Sequence, residues 1–259
     1  MRILVTGGSG FIGNYLRPIL KEHEVFSVDI ESGVDIFDSL FEKLVKSHDV
    51  IIHLAALTNV EDSKINPKPY YMTNVLGTAR VTYLCAKYGK KLIYPSTLHV
   101  FDPYSSPYAD SKLQAEQIVK CVNKFIPVVI LRLYNVFGKG MNNNSGSIIN
   151  LFLTSKEVGV YGDGSVTRDF IHVKDVAAIM KDALKSKWDG ACVEVGTGKG
   201  TSIKELAILF SYYRQVPLVY FKNKEQLRWP IANTKLLKKL YKEKLKTNIH
   251  KDIEELCRN

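Results

Sequence analysis

Along the first half of the chain, short runs in which nearly every residue is apolar alternate with longer stretches in which apolar positions recur every three or four residues. The runs at 3–6, 25–29, 50–54, 92–96 and 128–133 read as strands. They show no apolar-polar alternation, so both of their faces are expected to be covered, as in a parallel sheet. The stretches at 11–22, 40–46, 71–88 and 108–123 read as the helices between those strands. The rhythm predicts a doubly wound α/β fold.

After Gly138 the rhythm breaks. A Gly- and Asn-rich stretch at 138–146 and a turn cluster at Gly162, Asp163 and Gly164 read as loops over a site. A further helix is expected at 173–186 and a further strand at 192–195, and there is no internal repeat. At 259 residues a single core should dominate.

The turn after the first strand carries the first chemistry. Gly7, Gly10 and Gly13 stand where the strand gives way to the first helix. Glycine there allows a tight turn, lets backbone approach a pyrophosphate and lets helix pack on sheet, while the helix N-terminus offers N–H donors. Asp29 is expected to end the second strand, about 20 residues on, where a carboxylate bonds the adenosine ribose and repels a 2′-phosphate. With Glu31 nearby, NAD is expected rather than NADP. The expected organisation is a Rossmann dinucleotide-binding domain at 1–138, to which 169–198 return, and a small substrate-binding lobe made of 139–168 and 199–259.

Thr6 to Gly13, His53-Leu-Ala-Ala56, Tyr108-xxx-Lys112 and Arg168-Asp-Phe-Ile-His172 together resemble the NAD-dependent epimerase/dehydratase family of extended short-chain dehydrogenases/reductases. The resemblance covers most of the chain. It implies that Phe11, Ile12, Asp35, Ile36, Leu54, Ala55, Ala56 and Asn74 line the cofactor, with Asp35 and Ile36 at the adenine edge; each residue taken singly also suits plain packing.

Tyr108 and Lys112 lie four apart on a predicted helix and project from one face. The ammonium, together with the positive nicotinamide ring, is expected to lower the phenol's pKa and so make Tyr108 a general acid/base. By the resemblance, Lys112 also bonds the nicotinamide ribose and Thr97 polarises the reacting oxygen. Two departures stand out. Only ten residues separate Thr97 from Tyr108, so the loop over the substrate is trimmed. Related 4,6-dehydratases carry Asp-Glu after the threonine, whereas this chain has Leu98-His99. If the strand continued, His99 would share a face with Thr97 and could serve as a second acid/base; a buried, hydrogen-bonded histidine is the alternative.

The resemblance further implies that Asn135 and Arg168 hold the diphosphate of a nucleoside-diphosphate sugar, with Arg228 as a second clamp. Arg168 could instead pair with Asp169 or Asp163. The activity implied is a 4-epimerase working through a 4-keto sugar, with a 4-keto-sugar reductase or a dehydratase of a deoxysugar pathway as alternatives, and a non-catalytic NAD-binding protein as a fourth. The family also implies a homodimer built on helices 71–88 and 108–123.

Composition changes this picture little. The formal charge is +10, and +6 of it lies in 222–259, where 11 basic residues meet 5 acidic ones. Lys235, Lys238, Lys239 and Lys242 suit a solvated helix face or a field attracting a diphosphate. No nucleic-acid module accompanies them, so nucleic acid is not expected as a partner. The longest apolar run, 125–131, is read as a buried strand; Pro127 breaks it and it falls far short of the ~20 residues of a membrane helix. Cys85, Cys121, Cys192 and Cys257 lie far apart, suggesting neither metal site nor disulfide. With no room for a secretory leader before the first strand, a cytoplasmic protein is expected.

Overall fold

The computed structural model of the chain describes residues 1–141, 146–222 and 230–258. Its first half runs β1 (Arg2–Thr6), α1 (Phe11–Ile19), β2 (Glu24–Val28), α2 (Ser39–Ser47), β3 (Val50–His53), α3 (Val60–Ile65), α4 (Pro67–Tyr70), α5 (Thr78–Tyr88), β4 (Lys91–Thr97), α6 (Pro107–Cys121) and β5 (Val128–Leu133). The second half adds β6 (Asn135–Phe137), α7 (Ile148–Thr154), β7 (Val158–Tyr161), β8 (Thr167–Arg168), β9 (Phe170–His172), α8 (Val173–Asp182) and β10 (Cys192–Val195). It closes with β11 (Thr201–Ser202), α9 (Ile203–Arg214), β12 (Leu218–Phe221), α10 (Lys235–Leu240) and α11 (Ile249–Arg258).

Six strands pair in parallel in the order β10-β5-β4-β3-β1-β2. Successive side chains of a strand point to opposite faces. Ile3, Val5, Ile52, Ile93 and Val129 pack with Leu16 of α1 and Val176 and Ile179 of α8. Leu4, Ile51, Leu92 and Ile130 face the other way, toward Phe41, Val81, Leu84 and Val119 of α2, α5 and α6. Two covered faces are the physical reason that these strands read as unbroken apolar runs. The chain leaves β1 for β2 on one side and reaches β3 on the other, so the strand order reverses at β1. A crevice opens at the carboxyl ends of the strands at such a point.

A second apolar cluster joins Phe137, Phe152, Val160, Phe170, Leu206, Phe210 and Ile253 beneath the lobe. Leu237 and Tyr241 belong instead to the sheet's core, so α10 lies against the sheet unit, although the sequence reading assigned all of 199–259 to the lobe. Cys192–Val195 forms a strand as expected and pairs β5 from Ile130 to Leu133.

Some elements differ from expectation. The helix read at 71–88 begins as α4, passes through a π-helical segment at Tyr71–Gly77 and continues as α5. The wider turn lets Tyr71 donate to Asp110 (2.8 Å) and Asn74 to Ser111 (3.0 Å), both on α6. The helix read at 11–22 stops at Ile19: Leu20 leaves the helical region (φ −93°, ψ 12°) and its N–H turns back to the Arg17 carbonyl. The run at 125–131 is not a strand throughout: Phe125 is 78% exposed in a turn, and the strand starts at Val128 after Pro127. No helix among the described residues is long and apolar enough to cross a membrane.

Candidate active site

The crevice holds a cavity of about 880 Å³ that reaches from the glycine turn to the lobe. At its inner end Gly7 has φ +68°, and a Cβ there would sit 2.7 Å from the backbone nitrogen of Ala55. A side chain on Gly13 would collide with the carbonyl oxygen of Gly8. The turn therefore closes tightly on itself and on the loop after β3 only with glycine. Gly10 caps α1 without a side-chain hydrogen bond, leaving the first N–H groups facing the crevice.

Beneath the turn runs a buried polar chain. The Thr6 hydroxyl lies 2.7 Å from His53 Nδ1 and accepts the Ala55 N–H at 3.2 Å, while His53 Nε2 lies 3.1 Å from the Thr78 hydroxyl. Complete burial pushes the imidazole down to about 3, which keeps it neutral. Asn74 grips the same loop, accepting from Leu57 N at 2.9 Å and donating to Leu57 O at 3.0 Å. Leu54 and Ala56 consequently line the cavity with Gly7, Gly10, Phe11, Ile12 and Gly13. Ala55 and Asn74 stand behind it as supports.

Asp29 lies one residue past the end of β2 rather than within it. Its carboxylate accepts the Ser9 N–H at 3.0 Å and the Ser32 N–H at 2.9 Å, and the Ser9 side chain first, with these backbone bonds, holds it below the usual carboxylate range. Asp35 and Ile36 lie outside the cavity wall. The Asp35 carboxylate accepts from Phe37 N at 2.9 Å, and Ile36 fills the space over Gly77 while its carbonyl accepts from Arg80 at 2.8 Å.

Thr97 is the last residue of β4; Tyr108 and Lys112 come from the first two turns of α6, and all three line the cavity. Ser106 caps that helix through Ala109 N (3.2 Å), and Pro107 takes its first position. The Thr97 hydroxyl acts on the Tyr108 phenol as a hydrogen-bonding group that favours its ionised form. Lys112 donates to Pro95 O at 2.8 Å, and its ammonium stands 4.3 Å from the centre of the Tyr94 ring. The expected lowering of the phenol by Lys112 is not what the protein alone produces. Burial pushes Tyr108 up, opposed by the Thr97 hydroxyl, and burial pushes Lys112 itself down to about 7.

His99 reaches the cavity by another route than the one expected. Residues Leu98–Phe101 form a 3₁₀ turn, not a continued strand, because Thr97 Oγ1 accepts the His99 N–H (3.3 Å) and bends the chain. The His99 ring nevertheless lies 5.4 Å from the Tyr108 ring, edge to face. Burial and the charge of Arg168 push its imidazole down to about 4.

The lobe contributes Asn135 and Arg168 to the same cavity. Asn135 donates to Asp169 O at 2.9 Å. Arg168 forms no ion pair with either carboxylate that was an alternative partner. Asp169 is spent on Thr197 N (2.8 Å), Thr197 Oγ1 (2.6 Å), Gly198 N (2.9 Å) and Ala232 N (3.2 Å), and Asp163 accepts from Ser165 N (2.9 Å). The Arg168 Nε is buried with no hydrogen-bond partner among the described residues. Arg228 lies outside the described residues.

Sequence reasoning missed the shell around Lys112. Glu116, fully buried one turn farther along α6, accepts from Ser96 (2.6 Å), from Arg132 through two nitrogens (2.6 and 3.1 Å) and from Lys120 (2.6 Å). A glutamate four residues after the lysine on an otherwise apolar helix face was the available signal. Glu61 and Lys64 at the cavity mouth, bonded to each other at 2.9 Å, were also missed. Among the described residues no cluster of His, Cys, Asp or Glu could hold a metal ion.

Comparison with known proteins identifies the family and the fold. Residues 3–196 match the profile of the NAD dependent epimerase/dehydratase family. A protein of Methanocaldococcus jannaschii, provisionally named UDP-glucose 4-epimerase, is 34% identical over 79% of this chain and 79% of its own length. The structure of UDP-N-acetylglucosamine 4-epimerase from Methanobrevibacter ruminantium M1, in complex with UDP-N-acetylmuramic acid, superposes with a TM-score of 0.89 at 25% identity, covering 99% of this chain and 97% of that one. A UDP-glucuronic acid 4-epimerase variant from Bacillus cereus, bound to a fluorinated UDP-sugar and NAD, gives 0.86 at 25% identity over 100% and 98%.

Proposed function

The chain belongs to the NAD dependent epimerase/dehydratase family, and from that premise we propose that it is a nucleoside-diphosphate-sugar 4-epimerase. One observation carries the reading: Thr97, Tyr108 and the buried Lys112 line one cavity between a glycine turn shaped for a pyrophosphate and Arg168, whose buried Nε has no hydrogen-bond partner among the described residues.

The residues present fit NAD. Gly7 and Gly13 let the turn close on the loop after β3 and on itself, the uncapped start of α1 suits a pyrophosphate, and an ionised Asp29 at the strand end suits ribose hydroxyls and opposes a 2′-phosphate. Phe11, Ile12, Leu54 and Ala56 would line it, and Ala55 and Asn74 would hold that wall in place; Asp35 and Ile36 would serve only at an outer adenine edge. When bound, NAD supplies the acceptor that takes hydride from the sugar's C4 and returns it to the opposite face.

The chain's own residues move the proton and hold the sugar. Tyr108 takes the proton of the 4-hydroxyl and gives it back after the 4-keto sugar has turned. Thr97 donates to the reacting oxygen, and Lys112 supplies the positive charge that makes a buried phenolate tolerable. Arg168 and Asn135 take the diphosphate; a guanidinium stays charged and presents a fork of donors to phosphate oxygens. A neutral His99 faces the sugar as a hydrogen-bonding partner. Leu98 and this neutral imidazole replace the acidic pair of the dehydratases, which favours epimerisation over loss of water.

The protein is read as a homodimer through the outer face of α5 and its π-helical lead-in, where Met72, Leu76 and Tyr83 are 45%, 49% and 60% exposed. The activity is tested by incubating the protein with UDP-, GDP- and dTDP-hexoses, one set deuterated at C4, and analysing products by NMR. The 4-epimer should form with deuterium retained at C4. Consumption of added NADH on a 4-keto sugar, with no epimer formed, would instead identify a reductase.

A further inference from the structure

We propose that Tyr94 and Glu116 are positioning residues for Lys112: the ring face of one holds its ammonium in a buried slot, and the buried carboxylate of the other, one turn along the same helix, favours a cation there. The proposal rests on the reading of Lys112 as the cation of the reaction.

A lysine on the apolar face of α6 at 5% exposure would ordinarily give up its proton, since a buried charge without compensation is costly. Three features oppose that loss. The Tyr94 ring lies under the ammonium at 4.3 Å, within the range of a desolvated cation–π contact. The Pro95 carbonyl, which β4 presents without a competing side chain, accepts from it at 2.8 Å. Glu116, buried one helical turn along the same face of α6, bonds Ser96, Arg132 and Lys120 rather than Lys112, and acts on the lysine as an attracting charge at a distance.

Glu116 can play this part only if it stays ionised. Arg132, Lys120 and Ser96 ensure this, together pushing its carboxyl down to about 2 against the opposing effect of burial. Arg132 is in turn held over the Phe101 ring at 4.9 Å. The other groups facing Lys112 are Tyr108 on its own helix, Thr97 on β4 and His53 on β3. His53 feels the lysine's charge and is neutral, so it adds no competing cation. Arg132 and Lys120 are the cations that dilute the carboxylate's pull.

The test is an NMR titration of the full-length protein labelled with ¹³Cε-lysine, the Lys112 signal being assigned by its loss in Lys112→Met. In Tyr94→Leu and in Glu116→Gln the Lys112 midpoint should fall by about one pH unit, the size expected of a buried cation–π contact or a nearby charge. Tyr94→Phe, which keeps the ring, should leave the midpoint in place. Lys120→Met, at a partly exposed position, should raise it. The basic limb of the kcat profile should move in the same directions, whereas a purely structural defect would lower kcat at every pH without moving that limb. If Glu116→Gln does not fold, Tyr94→Leu and Lys120→Met still decide the matter. A midpoint unchanged in both overturns the proposal. Because the NMR midpoint is read without substrate, absence of turnover on every sugar would count against the proposed activity and not against this assignment.

Discussion

At the scale of single residues, the site depends on groups whose ordinary behaviour burial has changed. Tyr108 is a poorer acid here than in water: burial pushes its phenol up, and among its neighbours it is Thr97 that opposes this. Tyr108→Phe removes the proton carrier but neither the turn nor the cavity wall. It should lower kcat by about 10²–10⁴-fold, the usual worth of a general acid/base, while NAD content measured after purification stays at the wild-type level. A rate within a few-fold of wild type would remove Tyr108 from the chemistry. Arg168 carries a different burden. Its Nε has no partner among the described residues, so it has donors to spare for a ligand's phosphate oxygens. Arg168→Met should raise KM for the nucleotide sugar by about 10–100-fold, corresponding to the ~1.5–3 kcal/mol of a charged hydrogen bond, with less effect on kcat. Isothermal titration with UDP alone would show the same loss.

At the scale of elements, the glycine turn makes the sharpest prediction. Gly13→Ala places a methyl against the Gly8 carbonyl, which backbone cannot avoid without opening the turn. It should cost about 1–3 kcal/mol of stability by thermal denaturation and reduce retained NAD; a protein equally stable and fully loaded would show that the turn has slack. This turn was legible in the sequence because glycine spacing reports backbone geometry directly. The parallel strands were legible for a related reason, since coverage of both faces leaves unbroken apolar runs. What the sequence concealed was local and non-periodic. Thr97 turned the chain into a 3₁₀ turn by capping His99 N, so the alternation argument for His99 reached the cavity through the wrong backbone. The π-helical segment has the same apolar period as its neighbours to within a residue, and only the contacts of Tyr71 and Asn74 distinguish it. The partners of Glu116 come from other elements, Ser96 on β4 and Arg132 on β5. Such partners lie 16 to 20 residues away and have no sequence period.

At the scale of the whole molecule, the two faces of the sheet differ: on one, α1 and α8 share the core with Leu237 of α10, while on the other the π-helical segment and α5 keep Met72, Leu76 and Tyr83 outward. Light scattering on the purified protein should give twice the chain mass of 29.3 kDa, and Tyr83→Glu should halve it. A wild-type monomer at micromolar concentration would refute the dimer. Stability against acid follows from two buried groups rather than from the net charge. His53 is held at about 3 against an ordinary 6.5, and Glu116 at about 2 against 4.5. In both cases the unfolded chain binds a proton that the folded chain refuses. Stability is therefore lost as pH falls, first through the window from 6.5 to 3 on account of His53 and then, overlapping it, from 4.5 to 2 on account of Glu116. Each group contributes a slope of about 1.4 kcal/mol per pH unit inside its window, so the fall should steepen below 4.5, where both act. Urea denaturation between pH 7 and pH 3.5 measures this. His53→Gln should flatten the upper part of the curve and leave the steepening. Glu116→Gln should remove the steepening while lowering stability at pH 7 by about 3–5 kcal/mol, because it leaves the Arg132 guanidinium buried without its carboxylate. A wild-type curve that is level from pH 6.5 down to 4 would mean that His53 takes up its proton inside the folded protein, and the buried Thr6–His53–Thr78 chain would then have to be read as able to carry charge.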